Sequence, residues 1–500
     1  MNDTTDMPGK YRPDSTLPLQ GLFINGKFSD ATSDETFETV NPATNQKICE
    51  VQQASSADAD SAVSAARAAQ EKWAKTPARE RAKILLRAAE MLRAQNDELA
   101  ELETLDTGKA IAETRAVDVI TGAEVLEYYA GISPGICGRH IDHPPNAFSI
   151  VRREPLGVCA GIGAWNYPIQ IALWKSAPAL ACGNAMVFKP AELTPLTALA
   201  LARVYAEAGL PEGVFNVIQG DGRAGQLLSR HPGVDKISLT GEAETGKRVM
   251  SDAASSLKHI TFELGGKSPL LIFADCDMES AVSASLTANF FSSGQVCSNG
   301  TRVFVERAVR DEFVKAVGER AASLRLGCPF DMETQVGPLV SRQHMEKVSG
   351  YMQAAMSSSA SHITGGHSPE GGLSAGNYLH PAVFADCEDD MSFVREEVFG
   401  PLMSVLIFDD EEEALRRANN TDFGLAAGVF CGDFSRAHRI AQQLQAGMVW
   451  INEYNITPPE APFGGTKHSG IGRENGLDAV AHYTQTKTIY ANLGKVEPVY

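Results

Sequence analysis

The pattern of apolar and polar positions divides the chain into a helical beginning and an alternating remainder. In residues 57–130 apolar side chains recur at intervals of three and four, in segments rich in Ala, Leu and Glu, which predicts amphipathic helices. From about residue 150 short apolar runs end in Gly or Pro, as in "GVCAGIGA", "NAMVFKP", "VFNVIQG" and "KISLTG". Helical stretches such as "TPLTALALARVYAEAG" and "AGQLLSR" separate them. This alternation is typical of a parallel sheet with crossover helices.

A second alternation begins after Gly265. The runs "SPLLIFA" and "TRVFVE" read as strands, and "AVSASLTANFF" and residues 309–325 read as helices. The segments 143–154 and 483–493 resemble isolated strands outside both alternations. The pattern therefore predicts an α/β fold with two parallel-sheet domains and a small β flap that pairs with another subunit.

Charge and cysteine usage narrow the class of protein. The chain has 44 Lys+Arg against 62 Asp+Glu, a formal charge of −18, which disfavours nucleic acid as a partner. The nine cysteines are scattered single residues, a usage that fits reduced thiols better than disulfides. The polar start lacks the apolar core of a signal peptide, and the run around Trp174 is interrupted before it reaches membrane-spanning length. We expect a cytoplasmic protein without membrane segments.

Three turns are candidates for binding a dinucleotide. "GDGRAG" (220–225) matches GxGxxG between a strand and a helix, although the expected acidic residue about twenty positions later is not obvious. "SLTGEAETGKRV" (238–249) is a second strand–Gly–helix turn whose amides can face phosphate. "VFKPAE" (187–192) ends a strand with Lys189 and Glu192. Ligands collect beyond the carboxyl ends of parallel strands, so all three can line one crevice; the alternative is that each is an ordinary tight turn.

Cys297 differs from the other cysteines because it lies in a loop of small residues, "FFSSGQVCSNG". Gly294 and Gly300 are expected to let the backbone approach a substrate closely, with free amides facing an oxyanion. Glu263, in "FELGGKSP", is a carboxylate on a turn that can activate water, so the pair suits acyl-enzyme chemistry. The remaining cysteines are interpreted as small buried hydrophobes: Cys49, Cys137, Cys159, Cys182, Cys276, Cys328, Cys387 and Cys431.

Five motifs in order, "GIGAWNYP", "FELGGKSP", "GQVCSNGTR", "EEVFGP" and "PFGGTKHSGIGRENG", resemble the aldehyde dehydrogenase superfamily over residues 20–495. Within it, residues 152–190 and 451–476 look most like the corresponding segments of betaine-aldehyde and 4-trimethylaminobutyraldehyde dehydrogenases. The resemblance implies NAD(P)+-dependent oxidation of an aldehyde to an acid through a cysteine thiohemiacetal and thioester, in a homodimer or homotetramer. It also implies an NAD-binding domain (1–133 and 154–265), a catalytic domain (266–467) and an oligomerisation flap (134–153 and 480–500).

The resemblance assigns roles residue by residue. Cys297 is the nucleophile, Glu263 the general base, and Asn166 an oxyanion donor, while Lys175 and Glu474 match a proton relay or, as readily, a structural ion pair. The implied cofactor contacts are Trp165, Lys189, Glu192, Gly225, Gly241, Gly246, Gly265, Glu397 and Phe399. A potassium site matches Thr39, Val40, Asp106 and Leu193. Glu242 departs from the family pattern, because it places an anion where relatives have Ser beside the cofactor's pyrophosphate.

Aromatic residues suggest the substrate. Tyr167 and Trp174 are seven residues apart, so a helix beginning near Pro168 places both on one face, and Phe463 and Phe291 are further candidates. Core packing is the alternative for such a pair. A trimethylammonium group cannot donate a hydrogen bond and is recognised by aromatic faces, so we expect betaine aldehyde or 4-trimethylaminobutyraldehyde as substrate.

Other functions stay open from the sequence. A broader aminoaldehyde dehydrogenase is the nearest alternative. A CoA-acylating relative is disfavoured by Glu263, and a non-catalytic binding protein need not keep Cys297, Glu263 and Asn166 together. NAD is expected over NADP, since the Glu192 carboxylate repels a 2′-phosphate, although NADP is not excluded.

Overall fold

The computed structural model describes residues 9–496, 498 and 500. The small parts of the predicted ranges at residues 1–8, 497 and 499 lie outside the described residues. Twenty strands are present in chain order: β1 (Leu22–Ile24), β2 (Lys27–Ser29), β3 (Thr36–Asn41), β4 (Gln46–Gln52), β5 (Arg139–His143), β6 (Ala147–Pro155), β7 (Val158–Ile162), β8 (Ala185–Lys189), β9 (Phe215–Val217), β10 (Lys236–Thr240), β11 (His259–Glu263), β12 (Pro269–Ile272), β13 (Arg302–Glu306), β14 (Ser361–Thr364), β15 (Ala382–Ala385), β16 (Leu402–Phe408), β17 (Ala426–Phe430), β18 (Met448–Ile451), β19 (Gly470–Ile471) and β20 (Thr484–Asn492).

The described helices number sixteen: α1 (Ser56–Trp73), α2 (Ala78–Ala94), α3 (Asn96–Thr107), α4 (Ile111–Glu113), α5 (Val119–Ile132), α6 (Pro168–Ala181), α7 (Leu196–Glu207), α8 (Gly222–Arg230), α9 (Ala243–Ala254), α10 (Met278–Phe290), α11 (Arg310–Ala322), α12 (Arg342–Met356), α13 (Ser392–Arg395), α14 (Glu411–Asn419), α15 (Phe434–Gln443) and α16 (Asp478–His482). A π-helical turn, Thr114–Asp118, joins α4 to α5. Among the described helices, none is long and apolar enough to cross a membrane.

The first sheet has eight strands in the order β19-β11-β10-β7-β8-β9-β1-β2. Its centre, β11 to β9, is parallel, and β7 and β8 are buried at every position, because helices cover both faces. Antiparallel strands extend it: β1 and β2 at one edge and β19 at the other. The sequence pattern predicts the parallel centre and misses these edges.

The second sheet has seven strands in the order β14-β15-β16-β13-β12-β17-β18. All its pairs are parallel except β14 with β15. One apolar cluster on it includes residues of α10 and α11, and another includes residues of α12, α14 and α15. The two parallel-rich sheets confirm the predicted α/β fold class, while the exact domain boundaries stay predictions.

The third sheet is small and antiparallel, in the order β20-β6-β5. The pairing of β6 with β20 confirms that segments 143–154 and 483–493 form strands outside the two main sheets, although β5 is an additional strand. Large apolar side chains are exposed on all three strands: Ile141, Ile150, Ile489 and Tyr490. A separate hairpin joins β3 to β4.

Candidate active site

The strand register brings the predicted residues to facing sheet edges. Thr240 pairs with Glu263 at the ends of β10 and β11, and Ile162 pairs with Lys189 at the ends of β7 and β8. These carboxyl ends form one edge of the first sheet. Cys297 precedes β13, which starts level with the beginning of β12, so it lies at the amino-terminal edge of the second sheet. Two cavities occupy the space between these edges.

The first cavity has a volume of about 320 Å³. From the first sheet it is lined by Trp165, Asn166, Thr240, Gly241, Glu242, Glu263 and Gly265. From the second it is lined by Cys297, Ser341, Gln343, His344, Lys347, Glu397 and Phe399. Trp165 meets Phe399 edge to face at 5.1 Å between ring centroids, and the Gly266 amide donates to Glu397 Oε1 at 2.9 Å.

The residues around this cavity fit a dinucleotide. A Cβ at Gly225, on α8, or at Gly241, just after β10, would have no protein atom closer than 3.9 Å and 3.7 Å, so neither glycine is needed for close packing. Gly246 is different, since a Cβ there would come within 2.8 Å of Leu264, so it allows α9 to pack closely. Lys189 donates to Glu192 at 3.1 Å.

The three candidate turns do not contribute equally. Only the turn after β10 lines the cavity; within the described chain, Lys189, Glu192, Gly225 and Gly246 do not line it. The helix α8 begins inside "GDGRAG" and is capped by Asp221. The cofactor contacts of those four residues stay predictions.

The second cavity, of about 310 Å³, opens on the other side of Cys297 and is lined mainly by apolar and aromatic residues. The helix α6 begins at Pro168, as predicted, and Tyr167 and Trp174 both line the cavity with Phe291 and Phe463. Trp174 and Phe463 contact edge to face at 5.4 Å between centroids. The structure thus brings together the four predicted aromatic residues, and Tyr454 joins them.

Cys297 lies at the junction of the two cavities, and Asn166 and Glu263 line both of them as well. Asn166 Nδ2 donates to the Gln295 carbonyl at 3.0 Å, which leaves its second N–H free to donate. Burial raises the pKa of the Cys297 thiol to about 12, helped by Glu263 and Glu397, although the Cys297 and Ser298 amides act in the opposite direction. The thiol is therefore protonated at neutral pH in this state.

The loop before Cys297 has an unusual backbone. Ser292 and Ser293 have φ of 50° and 56°, a left-handed conformation that costs L-residues energy. Gly294 and Gly300 are not among the described residues that line the two cavities, and their approach to a substrate stays a prediction. A Cβ at Gly294 would collide with the Gly400 backbone, and one at Gly300 would lie 2.8 Å from Tyr454 Oη. They are needed for close approach of the protein's own chain.

The other cysteines are free thiols, and most are buried. Cys137 is exposed, and Cys276 and Cys328 are half-buried, so the interpretation as buried hydrophobes is wrong for these three. Cys137 lies in the connection between α5 and β5, where nothing covers it fully. Cys276 likewise follows the end of β12 in a turn.

Glu263 is buried on the first sheet. Burial raises its pKa well above the usual value, and Glu474 adds to the effect, whereas Lys175 and Arg473 oppose it. Neither carboxyl oxygen has a hydrogen-bond partner within the described chain. A protonated carboxyl cannot accept a proton, so Glu263 can act as a base toward water only after it has ionised. This suits a base that acts late in a reaction.

Lys175 and Glu474 form a fully buried ion pair of 2.6 Å beside Glu263. Ser238 Oγ donates to the same Glu474 oxygen at 3.0 Å, and Lys175 Nζ also donates to Ser238 Oγ at 3.1 Å. Glu474 lines the second cavity. This geometry is compatible with both a relay and a structural ion pair.

A second buried charge cluster lies behind Tyr167. Lys109 Nζ is 3.4 Å from the centre of the Tyr167 ring and is paired with Asp118 at 2.7 Å. The Tyr167 hydroxyl bonds to Ser292 Oγ at 3.0 Å, and Glu113 accepts hydrogen bonds from the Ser292 amide and hydroxyl. Burial raises the pKa of Glu113 to about 7. The cluster connects Tyr167, which lines the second cavity, to the loop that contains Ser292.

The residues matched to a potassium site lie partly together. Thr39 Oγ1 donates to Asp106 at 3.1 Å, and the strand is irregular between Thr39 and Val40. Leu193 lines the first cavity instead. Among the described residues no group of three or more His, Cys, Asp or Glu side chains is placed to hold a metal, and potassium binding stays a prediction.

Several lining residues were missed from the sequence. Ser341, Gln343, His344 and Lys347 come from the start of α12, a segment without a recognisable motif. Lys109 was also missed, because its neighbours read only as a helix end. The positions of the buried Lys109 and of the α12 residues near the cavities follow only from how the elements pack in three dimensions.

Comparison with known proteins defines the class. A sequence model of the aldehyde dehydrogenase family matches residues 28–489. A betaine aldehyde dehydrogenase from Staphylococcus aureus, solved in complex with NAD+, is 39% identical, with a TM-score of 0.94 over 96% of each chain. A putative aldehyde dehydrogenase from Burkholderia cenocepacia is 39% identical, with a TM-score of 0.95 over 96% of this chain and 99% of that one. PnpE from Pseudomonas sp. WBC-3 is 38% identical, with a TM-score of 0.94 over 96% and 99%.

Two cavities that meet at a thiol between two parallel-rich sheets, in a member of this family, are those of an NAD(P)-dependent aldehyde oxidoreductase. The chain belongs to the aldehyde dehydrogenase family.

The high pKa of Cys297 predicts how its alkylation depends on pH. In the protein without cofactor, the rate of modification by iodoacetamide should rise about tenfold per pH unit from about pH 7 to about pH 9, because only the thiolate reacts. An ionised Glu263 raises the Cys297 pKa, so Glu263→Gln should shift this profile to lower pH in the pH range where Glu263 carries its charge. Mass spectrometry resolves the site, with exposed Cys137 as internal reference. A plateau for Cys297 below about pH 8 would contradict a half-buried thiol of raised pKa.

The Lys175–Glu474 pair predicts a separation of stability from activity. Lys175→Met should lower the free energy of unfolding by about 3–5 kcal/mol, because it leaves a buried carboxylate unpaired. The double variant Lys175→Met with Glu474→Leu should regain most of this lost stability. Urea unfolding measures the change. If the pair is a relay, the double variant stays slow in hydrolysis although it is stable; if it is structural, activity returns with stability. A wild-type unfolding midpoint for Lys175→Met would refute the burial argument.

Proposed function

We propose that this protein oxidises a quaternary-ammonium aldehyde, betaine aldehyde or 4-trimethylaminobutyraldehyde, to the corresponding acid, with NAD+ preferred over NADP+. The observation that carries the reaction is the position of Cys297 between a cavity that fits a dinucleotide and a cavity lined by aromatic rings. A nucleophile at that junction reaches both reactants. Glu192, held on Lys189 at 3.1 Å, supports the preference for a cofactor with free ribose hydroxyls.

The reaction begins at the Cys297 sulfur. Loss of the thiol proton lets Sγ add to the aldehyde carbon, and the resulting oxyanion is stabilised by the second N–H of Asn166 and the Cys297 amide. The bound cofactor supplies the acceptor for the hydride that leaves this carbon. A thioester remains on Cys297. Glu263 then takes a proton from water, which attacks the thioester carbonyl and releases the carboxylic acid and the thiol.

Charge supports a cationic substrate. The ionisable side chains that line the second cavity are Glu263, Cys297, Glu474 and the Tyr167 and Tyr454 phenols, with no lysine or arginine among its described lining residues. The two nearby lysines are neutralised, Lys109 by Asp118 and Lys175 by Glu474. Glu113 behind Tyr167 is ionised in part at neutral pH, since its pKa is about 7. A substrate cation therefore meets ring faces and no unpaired cationic side chain among the described lining residues.

The rings do not contribute equally. Lys109 already occupies one face of Tyr167, which reduces what this ring can offer a second cation. Trp174 and Phe463, in mutual contact, then carry more of the recognition, and an indole is the strongest ring for a cation. Trp174 is accordingly the residue whose loss should affect a cationic substrate most.

A broader aminoaldehyde dehydrogenase is the second candidate. Gln170, Thr287 and Thr457 line the same cavity, and their oxygen atoms can accept hydrogen bonds from a primary ammonium group.

We propose in addition that the exposed apolar side chains of the β20-β6-β5 sheet form the contact between subunits of a homodimer or homotetramer.

The substrate proposal predicts discrimination between betaine aldehyde and its uncharged isostere 3,3-dimethylbutanal. The ratio of their kcat/KM values should favour the cation by about tenfold or more, equivalent to one or two ring contacts. The ratio should rise with pH through about 7, as Glu113 ionises; deprotonation of Cys297 affects both aldehydes and cancels.

Steady-state kinetics on paired variants checks this. Trp174→Leu should reduce the ratio, whereas Ile456→Ala, which removes a side chain from the same cavity without removing a ring, should not. Equal kcat/KM for the two aldehydes in the wild type would defeat the proposal. A higher value for the primary-ammonium analogue would favour the aminoaldehyde candidate.

A further inference from the structure

One ion pair connects the two walls of the first cavity. Glu242, the residue just before α9, lies with its Oε1 3.7 Å from Nζ of Lys347 on α12. Both residues line the cavity. The first wall belongs to the sheet that carries the dinucleotide-type turns, and the second to the half of the chain that carries Cys297. The pair thus bridges the space that a dinucleotide fits.

Cationic side chains are scarce around this cavity. Its carboxyl groups are those of Glu242, Glu263 and Glu397, whereas Lys347 is the one lysine or arginine among the described residues that line it. His344 adds no charge at neutral pH, because burial lowers its pKa to about 4, and its Nε2 bonds to the Phe399 carbonyl at 2.8 Å. An anionic ligand that enters therefore has a single cationic side chain to meet, and Glu242 already holds it.

Members of this family use NAD(P), whose pyrophosphate is anionic. We propose that Glu242 competes with the bound dinucleotide for Lys347, weakens the binding of the cofactor and speeds its release. The inference rests on the use of this cofactor and not on the identity of the aldehyde. It gives a function to the residue that departs from the family pattern.

The size of the effect follows from exposure. The Glu242 and Lys347 side chains are 73% and 47% exposed, so water and salt screen their interaction. A change of about two- to fivefold in the dissociation constant is expected at low ionic strength, from the usual strength of exposed pairs. Release of product limits turnover in many enzymes, so even a change of this size can alter the steady-state rate.

The test compares Glu242→Gln with Glu244→Gln. Glu244 lies in the first turn of the same helix and loses the same charge, but it is paired with Lys247 at 2.6 Å. Fluorescence titration with NADH, without any aldehyde, measures binding, and stopped-flow displacement measures release. Glu242→Gln should bind NADH about two- to fivefold more tightly and release it more slowly, with the difference fading at high ionic strength. Glu244→Gln should match the wild type.

A double-variant cycle separates competition from simple repulsion. The gain in NADH affinity from Glu242→Gln should be smaller in a Lys347→Met background. There the Glu242 carboxyl and the cofactor phosphates have no cation to compete for. A gain of equal size in that background would overturn the competition for Lys347. Unchanged or weaker NADH binding by Glu242→Gln, or an equal gain in Glu244→Gln, would overturn the proposal, whatever aldehyde the enzyme oxidises.

Discussion

The active site depends on one short covalent connection, the five residues 264–268 between the end of β11 at Glu263 and the start of β12 at Pro269. A link this short holds the carboxyl edge of the first sheet against the amino-terminal edge of the second. Gly266 makes the approach possible, since a Cβ there would lie 2.6 Å from the Cys297 carbonyl oxygen. Glu263, Cys297 and both cavities are placed together as a consequence.

Burial of charge is the second feature that shapes the site. Removal of water raises the pKa of Cys297 and of Glu263, because burial disfavours the charged form of each group. Around them, Lys175–Glu474 and Lys109–Asp118 are complete ion pairs. These pairs limit how much unbalanced charge the interior holds.

Much of the fold could be predicted from local patterns, because a buried parallel strand and a crossover helix each have their own periodicity. The register that pairs Thr240 with Glu263 is seen only in the structure. The pairing of β19 with β11 and of β1 with β9 joins segments distant in the chain, which local patterns do not reveal, whereas the β1–β2 hairpin is local and its Asn25-Gly26 turn was overlooked. The packing role of Gly294 could not be predicted, because its neighbour, Gly400, is more than a hundred residues away. Lys109 and Lys347 carry chemistry only through partners that packing supplies.

The central claim is that Cys297 forms a thioester whose hydrolysis needs Glu263. Rapid mixing of the Glu263→Gln variant with NAD+ and aldehyde tests it most directly, by following NADH absorbance in the first turnover. The account predicts a burst of about one NADH per active site followed by very slow turnover, because the amide cannot accept a proton from water while the thiol remains in place. Full steady-state turnover without a burst, or no NADH in the first turnover, would contradict it.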